Sequence, residues 1–220
     1  MMQMIENSST ERYSAEARLL LREFSHRINN EFTSAIGMIS VVAGNVANGE
    51  AKAALAAVQD RLHNYARVHH ALQMPEHNSR IDAAAYLRQL CRAVCSAKLK
   101  AKGIELLLVE RKFQMDSERC WRLGLIVSEP ITNSARHAFR DNGGLIRVEF
   151  MPSTSVIECR VTDNGTSKPV VRPGNGTNII TSLAKSLGGT IAQHFGPQGT
   201  TTVLVFPAEI ETNNLIGVAS

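Results

Sequence analysis

The sequence predicts a two-part fold: an antiparallel α-helical hairpin that becomes a four-helix bundle on dimerisation, followed by an α+β sandwich. Three observations predict it. From about residue 10 to residue 76 the apolar positions recur in steps of three and four, the signature of helices with a heptad seam. From Ile81 onward short alternating stretches interleave with amphipathic helices, as in a sheet covered by helices on one face. Between them Pro75 to Arg80 (PEHNSR) is a polar break, and residues 81–207 form the second unit, leaving 1–9 and 208–220 as flexible tails.

Composition narrows the function classes. The 220 residues are 44% hydrophobic, enough for one large domain or two small ones. Twenty-four basic residues against 20 acidic ones is a mild excess, no polybasic run is present and aromatics are only 5%, so no nucleic-acid surface is expected. No apolar run approaches the roughly 18 residues of a membrane span, and the N-terminal stretch lacks a signal-peptide pattern, so a cytosolic protein is expected. Cys91, Cys95, Cys120 and Cys159 sit in apolar patterns with no zinc spacing and read as reduced core thiols.

The first helix is expected from about Thr10 to Asn48, with a seam of Leu21, Ser25, Ile28, Phe32, Ala35, Ile39, Val42 and Val46. His26 falls one residue off that seam and faces solvent, with Arg22 and Asn30 a turn away and Glu23 in reach to orient the imidazole. Asn48-Gly49 ends the helix, glycine being suited to a left-handed cap. A second helix follows to about Gln73 through Leu55, Val58, Leu62, Tyr65, His69 and Leu72, where His69 reads as a packed seam residue. Two apolar seams on one hairpin bury little, which predicts a homodimer.

In the second unit Asp82 caps a helix that runs to about Lys102 and is stopped by Gly103. Strands are expected at Ile104–Val109 and Arg111–Met115, then a helix from Ser117 to about Phe139 that contains Pro130. Strands at Leu145–Met151 and Ser155–Asp163 precede a loop, a helix over Gly176–Leu187 and a closing hairpin at Thr190–Phe195 and Thr200–Phe206.

Three constellations carry chemistry. Glu129, Asn133 and His137 recur every four residues and share a helix face with Arg136 alongside. Taken alone that is a solvated polar face; a carboxylate and an amide one turn apart also suit a hydrated Mg²⁺ that bridges phosphates. Asp163 ends a strand on the apolar side of Ile157, Cys159 and Val161, where a carboxylate needs hydrogen bonds such as an adenine amino group supplies. Asn164-Gly165 then turns the chain. Gly174-Asn175-Gly176 enters a helix, exposing N–H groups at the positive end of its dipole, a position for phosphate. In this order the three spell a nucleotide site.

These residues resemble a family. HRINN (His26 to Asn30) is similar to the phosphoacceptor box of bacterial sensor histidine kinases of the HWE type and their close relatives. RLHNYARVHHAL (Arg61 to Leu72) resembles their second-helix signature. LGLIVSEPITNSARHAF (Leu123 to Phe139), VTDNG, and GNGTNIITSLAKSLGGTI (Gly174 to Ile191) resemble the N box and two glycine boxes of the wider GHKL ATPase fold. The likeness runs from about Leu19 to Pro207. Pro130 for an aliphatic residue, Ser167 for a second glycine after DNG, and Pro169 and Pro173 in the lid are departures from the family pattern.

The resemblance implies that His26 is phosphorylated from ATP, with Asn133 a Mg²⁺ ligand and Glu129 beside it at the phosphates. It also implies that Asp163 contacts adenine and that Gly165, Gly174 and Gly176 shape the pocket and its lid. Asn30, a turn from His26, is placed to bond the phosphoryl group. Arg136 and His137 complete the nucleotide-facing set. The partner implied is the receiver domain of a response regulator. With no recognisable sensor segment, a histidine phosphotransferase with a degenerate catalytic domain is the alternative; the retained Glu129, Asn133, Asp163 and Gly176 favour the kinase. A serine kinase or ATPase of the same fold leaves the His26 helix unexplained.

Overall fold

The computed structural model describes residues 2–75, 77, 79–139, 143–166 and 175–208. The first element, α1, runs Met2–Asn45, so the expected helix start at Thr10 is corrected to Met2. No proline and no glycine precede Gly37, and nothing local breaks the helix. The second helix, α2, spans Gly49–Ala71. Asn48 serves α2 rather than α1: its side chain accepts from Glu50 N at 2.8 Å and Ala51 N at 3.2 Å, an N-cap, and Gly49 takes no left-handed conformation.

Polar rungs fix the antiparallel register of the hairpin. Gln59 Nε2 donates to Ser40 Oγ at 2.8 Å, His69 Nδ1 meets Asn29 Oδ1 at 2.9 Å, and Arg22 Nη2 donates to Pro75 O at 3.1 Å. Two of the eight seam positions are left open. Ser25, Ile28, Phe32, Ala35, Ile39 and Val46 are partly covered by α2, whereas Leu21 and Val42 remain 49% and 50% exposed.

The second unit begins with β1 (Arg80–Asp82), inside the segment expected as a break and first turn. It pairs antiparallel with β3 (Gln114–Asp116), which starts three residues later than expected, Ile81 facing Met115. Asp82 caps α3 (Ala83–Val94) by accepting from Ala84 N. The helix continues as a π-helical turn (Cys95–Leu99) and a short 3₁₀ turn (Lys100–Lys102), and Gly103 ends it at φ +64°. The main sheet comprises β2 (Ile104–Glu110), β4 (Gly144–Pro152), β5 (Val156–Asp163), β6 (Thr190–Gly196) and β7 (Gly199–Pro207). Their order is β2-β4-β5-β7-β6, with β2 parallel to β4 and the other pairs antiparallel. On its covered face lie α3, α4 (Ser117–His137) and α5 (Asn175–Ser186).

The core explains the placement of α4. Leu123, Ile126, Val127 and Ile131 are buried along it and face Val148, Phe150 and Val161 of the sheet. Each such side chain contributes about 1.5–3 kcal/mol of burial. The helix is unbroken at Pro130, which is itself buried. Ala208 is also buried and donates to Ser155 O at 3.0 Å, so the ordered sheet end reaches one residue into the expected tail. The hairpin is tied to this unit at the end of α2. Val68 and Ala71 enter the same core, Tyr86 Oη donates to Ala71 O at 3.1 Å, and Trp121 Nε1 donates to Leu72 O at 2.8 Å. Carbonyls at a helix end lack intrahelical partners, and these two side chains supply them.

Candidate functional site

His26 lies on the exposed side of α1 together with Asn30, and among the described residues its imidazole makes no hydrogen bond. Glu23 does not orient it. That carboxylate instead accepts from Arg27 Nε at 3.0 Å, the i,i+4 geometry of an exposed helix pair. His69, by contrast, is packed as expected: it bonds Asn29 and tilts against Phe32, ring centroids 6.1 Å apart. Burial, and secondarily His70, lower its pKa.

On α4, Asn133 Nδ2 donates to Glu129 Oε1 at 3.2 Å, which leaves the amide oxygen and the second carboxylate oxygen of the pair available. A cation taking two oxygen ligands and keeping waters fits this donor set. Gly176, in the first turn of α5, lies so close that a Cβ there would collide with Glu129 Oε1. Only glycine lets the start of α5 approach this carboxylate. Arg136 and His137 are exposed at the last turn of α4 and join no hydrogen bond with the pair among the described residues. Gly174, Ser167, Pro169 and Pro173 lie outside the described residues.

Asp163 is buried at 3% exposure, because β5 alternates and places it on the covered face after Ile157, Cys159 and Val161. The chain itself meets its need for donors. Oδ2 accepts from Ser134 Oγ at 2.7 Å, and Oδ1 from Gly165 N at 3.0 Å and Thr200 N at 3.2 Å. A carboxylate has about four acceptor positions, so one on Oδ2 stays open. Gly165 allows the close backbone approach expected of the Asn164-Gly165 turn, and its neighbour is the end of α4. A Cβ there would strike Ala138 O, and the turn is fixed as Thr166 N donates to that same carbonyl at 2.9 Å.

Ser134, Thr200 and Lys98 are site neighbours that sequence spacing does not reveal. Ser134 follows Asn133 on α4 and reaches a strand 29 residues away. Lys98, on the π-helical turn, donates to Thr132 Oγ1 at 3.2 Å. A cleft of about 770 Å³ lies apart from this region, between α1, α2 and α3, and is lined by Asn29, Thr33, Arg67 and Arg92 among others. The four cysteines are free thiols, and burial pushes Cys91 up to about 12. No helix among the described residues is long and apolar enough to cross a membrane.

This helix-and-sheet site, with its carboxylate–amide pair and buried strand-end aspartate, coincides with a family match: a sequence model described as histidine kinase-like ATPase domain covers residues 82–205. The chain belongs to that family. A second model, described as histidine kinase, matches residues 23–98, so the histidine kinase pattern includes α2 and the part of α1 that carries His26. Among curated histidine kinases the chain is similar to the sensor histidine kinase PdtaS of Mycolicibacterium smegmatis, 24% identical over 197 residues. That match takes in 84% of this chain but 38% of PdtaS, so the chain spans well under half of that relative. A local match, 50% identical over 46 residues, links it to the serine-protein kinase RsbW of Listeria monocytogenes, covering 20% of this chain and 29% of RsbW. In fold it is similar to the histidine kinase domain of the blue-light activated histidine kinase EL346 from Erythrobacter litoralis. The TM-score is 0.57 at 21% identity, over 80% of this chain and 95% of that one. The α-helical hairpin followed by a mixed sheet under three helices is thus a histidine kinase architecture.

Proposed function

We propose that the protein is an ATP-dependent protein-histidine kinase of a two-component system, which autophosphorylates His26 and passes the phosphoryl group to an aspartate of a response-regulator receiver domain. The observation that carries this reading is an exposed His26 on a hairpin whose chain also holds the Glu129–Asn133 pair against Gly176. A lone pair of a ring nitrogen attacks the γ-phosphorus, the bond to the bridging oxygen breaks, and ADP leaves with those electrons. Solvent takes the proton lost from the imidazole. Little covalent work falls to the protein, so catalysis rests on in-line positioning and charge neutralisation.

Glu129 and Asn133 would hold Mg²⁺, which when bound neutralises charge on the phosphates. Asp163, with one acceptor position unused, would receive the adenine amino group, and Ser134, Gly165 and Thr200 hold its carboxylate still for that contact. The start of α5 would face the phosphates with its N–H groups. Asn30 sits one turn from His26 for the phosphoryl oxygens. A second copy of the chain would cover the exposed apolar edge of the hairpin, Leu21, Val42 and Val58, to make the homodimer.

The test is incubation with γ-labelled ATP and Mg²⁺, alongside His26→Ala and Asn133→Ala. Acid-labile, alkali-stable label lost in both variants is expected. No label, with His26-dependent uptake from a phosphorylated regulator, would establish the phosphotransferase instead. Acid-stable label would turn the assignment towards a serine kinase, the activity for which RsbW is named.

A further inference from the structure

Lys98 lies outside every motif that the sequence singles out, yet three features of its surroundings are unusual for a surface lysine. It sits on a π-helical turn, Cys95–Leu99, where the extra residue per turn re-aims the side chains that follow. Such turns gather at functional sites. It is partly buried against α4, and its ammonium spends one hydrogen on Thr132 Oγ1, 3.2 Å away. An ammonium has three donors, and among the described residues the other two have no acceptor.

Its neighbours are charged and unevenly so. Arg136 stands close enough to repel it, and Glu129 on α4 and Tyr65 on α2 attract it. Lys102, one turn further along, donates to Ala135 O at 2.7 Å and brings a third cation to the same helix. Burial, and then Arg136, hold the Lys98 ammonium below the usual lysine range. Three cations against one carboxylate leave an excess of positive charge beside the Glu129–Asn133 pair. An anion with several acceptor oxygens would satisfy the two open donors and relieve the repulsion with Arg136 together.

We propose that Lys98 is a phosphate-binding residue of the nucleotide site, reaching the phosphate chain from the hairpin side of α4. This rests on the nucleotide reading of Glu129, Asn133 and Asp163 given above. Thr132 is then its positioning partner, holding the side chain against α4 before the nucleotide arrives.

The test is displacement of a fluorescent trinitrophenyl-ATP from the full chain by ATP, ADP, AMP and adenosine, in wild type, Lys98→Met and Lys98→Arg. The loss of one charge-assisted contact predicts that K98M weakens ATP about tenfold and ADP about threefold, leaving adenosine unchanged. K98R, which keeps the charge, stays within about twofold. Lys98→Gln keeps a donor for Thr132 without the charge and must give the same ladder as K98M, which guards against a misfolded variant. Equal losses for adenosine and ATP, or unchanged ATP affinity, overturn the assignment and leave the nucleotide reading standing. Failure of all four ligands to displace the probe from wild type defeats that reading and the Lys98 assignment with it.

Discussion

Asp163→Asn separates what Asp163 does for the fold from what it would do for a nucleotide. In the wild type Oδ1 takes two backbone donors, Gly165 N and Thr200 N, while Oδ2 takes the Ser134 hydroxyl. An asparagine has only one orientation that fits. Its oxygen must replace Oδ1, since the two N–H groups cannot turn, and its NH₂ then meets Ser134 Oγ, whose hydroxyl can rotate to accept. All three contacts survive without the charge, at a loss of about 1–2 kcal/mol. That corresponds to a melting temperature lower by roughly 2–8 °C. At the open position, however, an acceptor becomes a donor where the proposed adenine amino group would bond. The lost bond and the unpaired donors together are worth about 3 kcal/mol, or more than about a hundredfold in nucleotide affinity. Asp163→Ala is the poorer reagent, because it leaves two buried N–H groups bare and confounds binding with unfolding. Calorimetric titration with ATP, beside a melting curve of the same sample, reads both quantities. An Asp163→Asn protein that melts within this range yet binds ATP within about threefold of wild type would refute the adenine role.

Three further outcomes are expected. Gly176→Ala drives a methyl into Glu129 Oε1 and must push the carboxylate off Asn133, so Mg²⁺-dependent ATP affinity falls about tenfold while Mg²⁺-free binding changes little, read by titration with and without the metal. Leu21→Glu with Val42→Glu alters two half-exposed positions, costing the protomer within about 0.5 kcal/mol each, but it converts a dimer to a monomer by light scattering; a dimeric mass in the double variant counts against the proposed bundle. The lowered pKa of His69 means the unfolded chain protonates first, so this contribution is present above about pH 6.5 and is lost as pH falls below it. Melting temperature should therefore drop between about pH 7.5 and 5.5, with a shallower slope in His69→Gln; equal slopes would exclude His69 as the source.

What the sequence makes legible here is what local periodicity encodes. The hairpin, the strand alternation and the helix carrying Glu129 and Asn133 follow from steps of two, three and four. So does the burial of Asp163, because β5 alternates without interruption from Ile157. What it hides depends on contacts far along the chain: the β1–β3 pairing, Ser134 and Thr200 meeting Asp163 across 29 and 37 residues, and Lys98 meeting Thr132 across 34. Even a neighbouring contact can be lost to a better local one, as when Glu23 pairs with Arg27 instead of turning towards His26.

Asp163 shows how these two limits meet. Its face is fixed by periodicity, and a carboxylate on that face does require hydrogen bonds, but the requirement does not by itself identify a ligand. Three donors from the chain already meet most of it, including a serine adjacent to Asn133 and a backbone amide of β7. Only the acceptor position left over can discriminate among ligands, so recognition at this residue turns on one hydrogen bond rather than on the whole burial energy of a charge. The same count made at Lys98 gives the opposite result. One donor is used there and two are left for water or a ligand, so the lysine outside the motifs has more room for a new partner than the aspartate inside them.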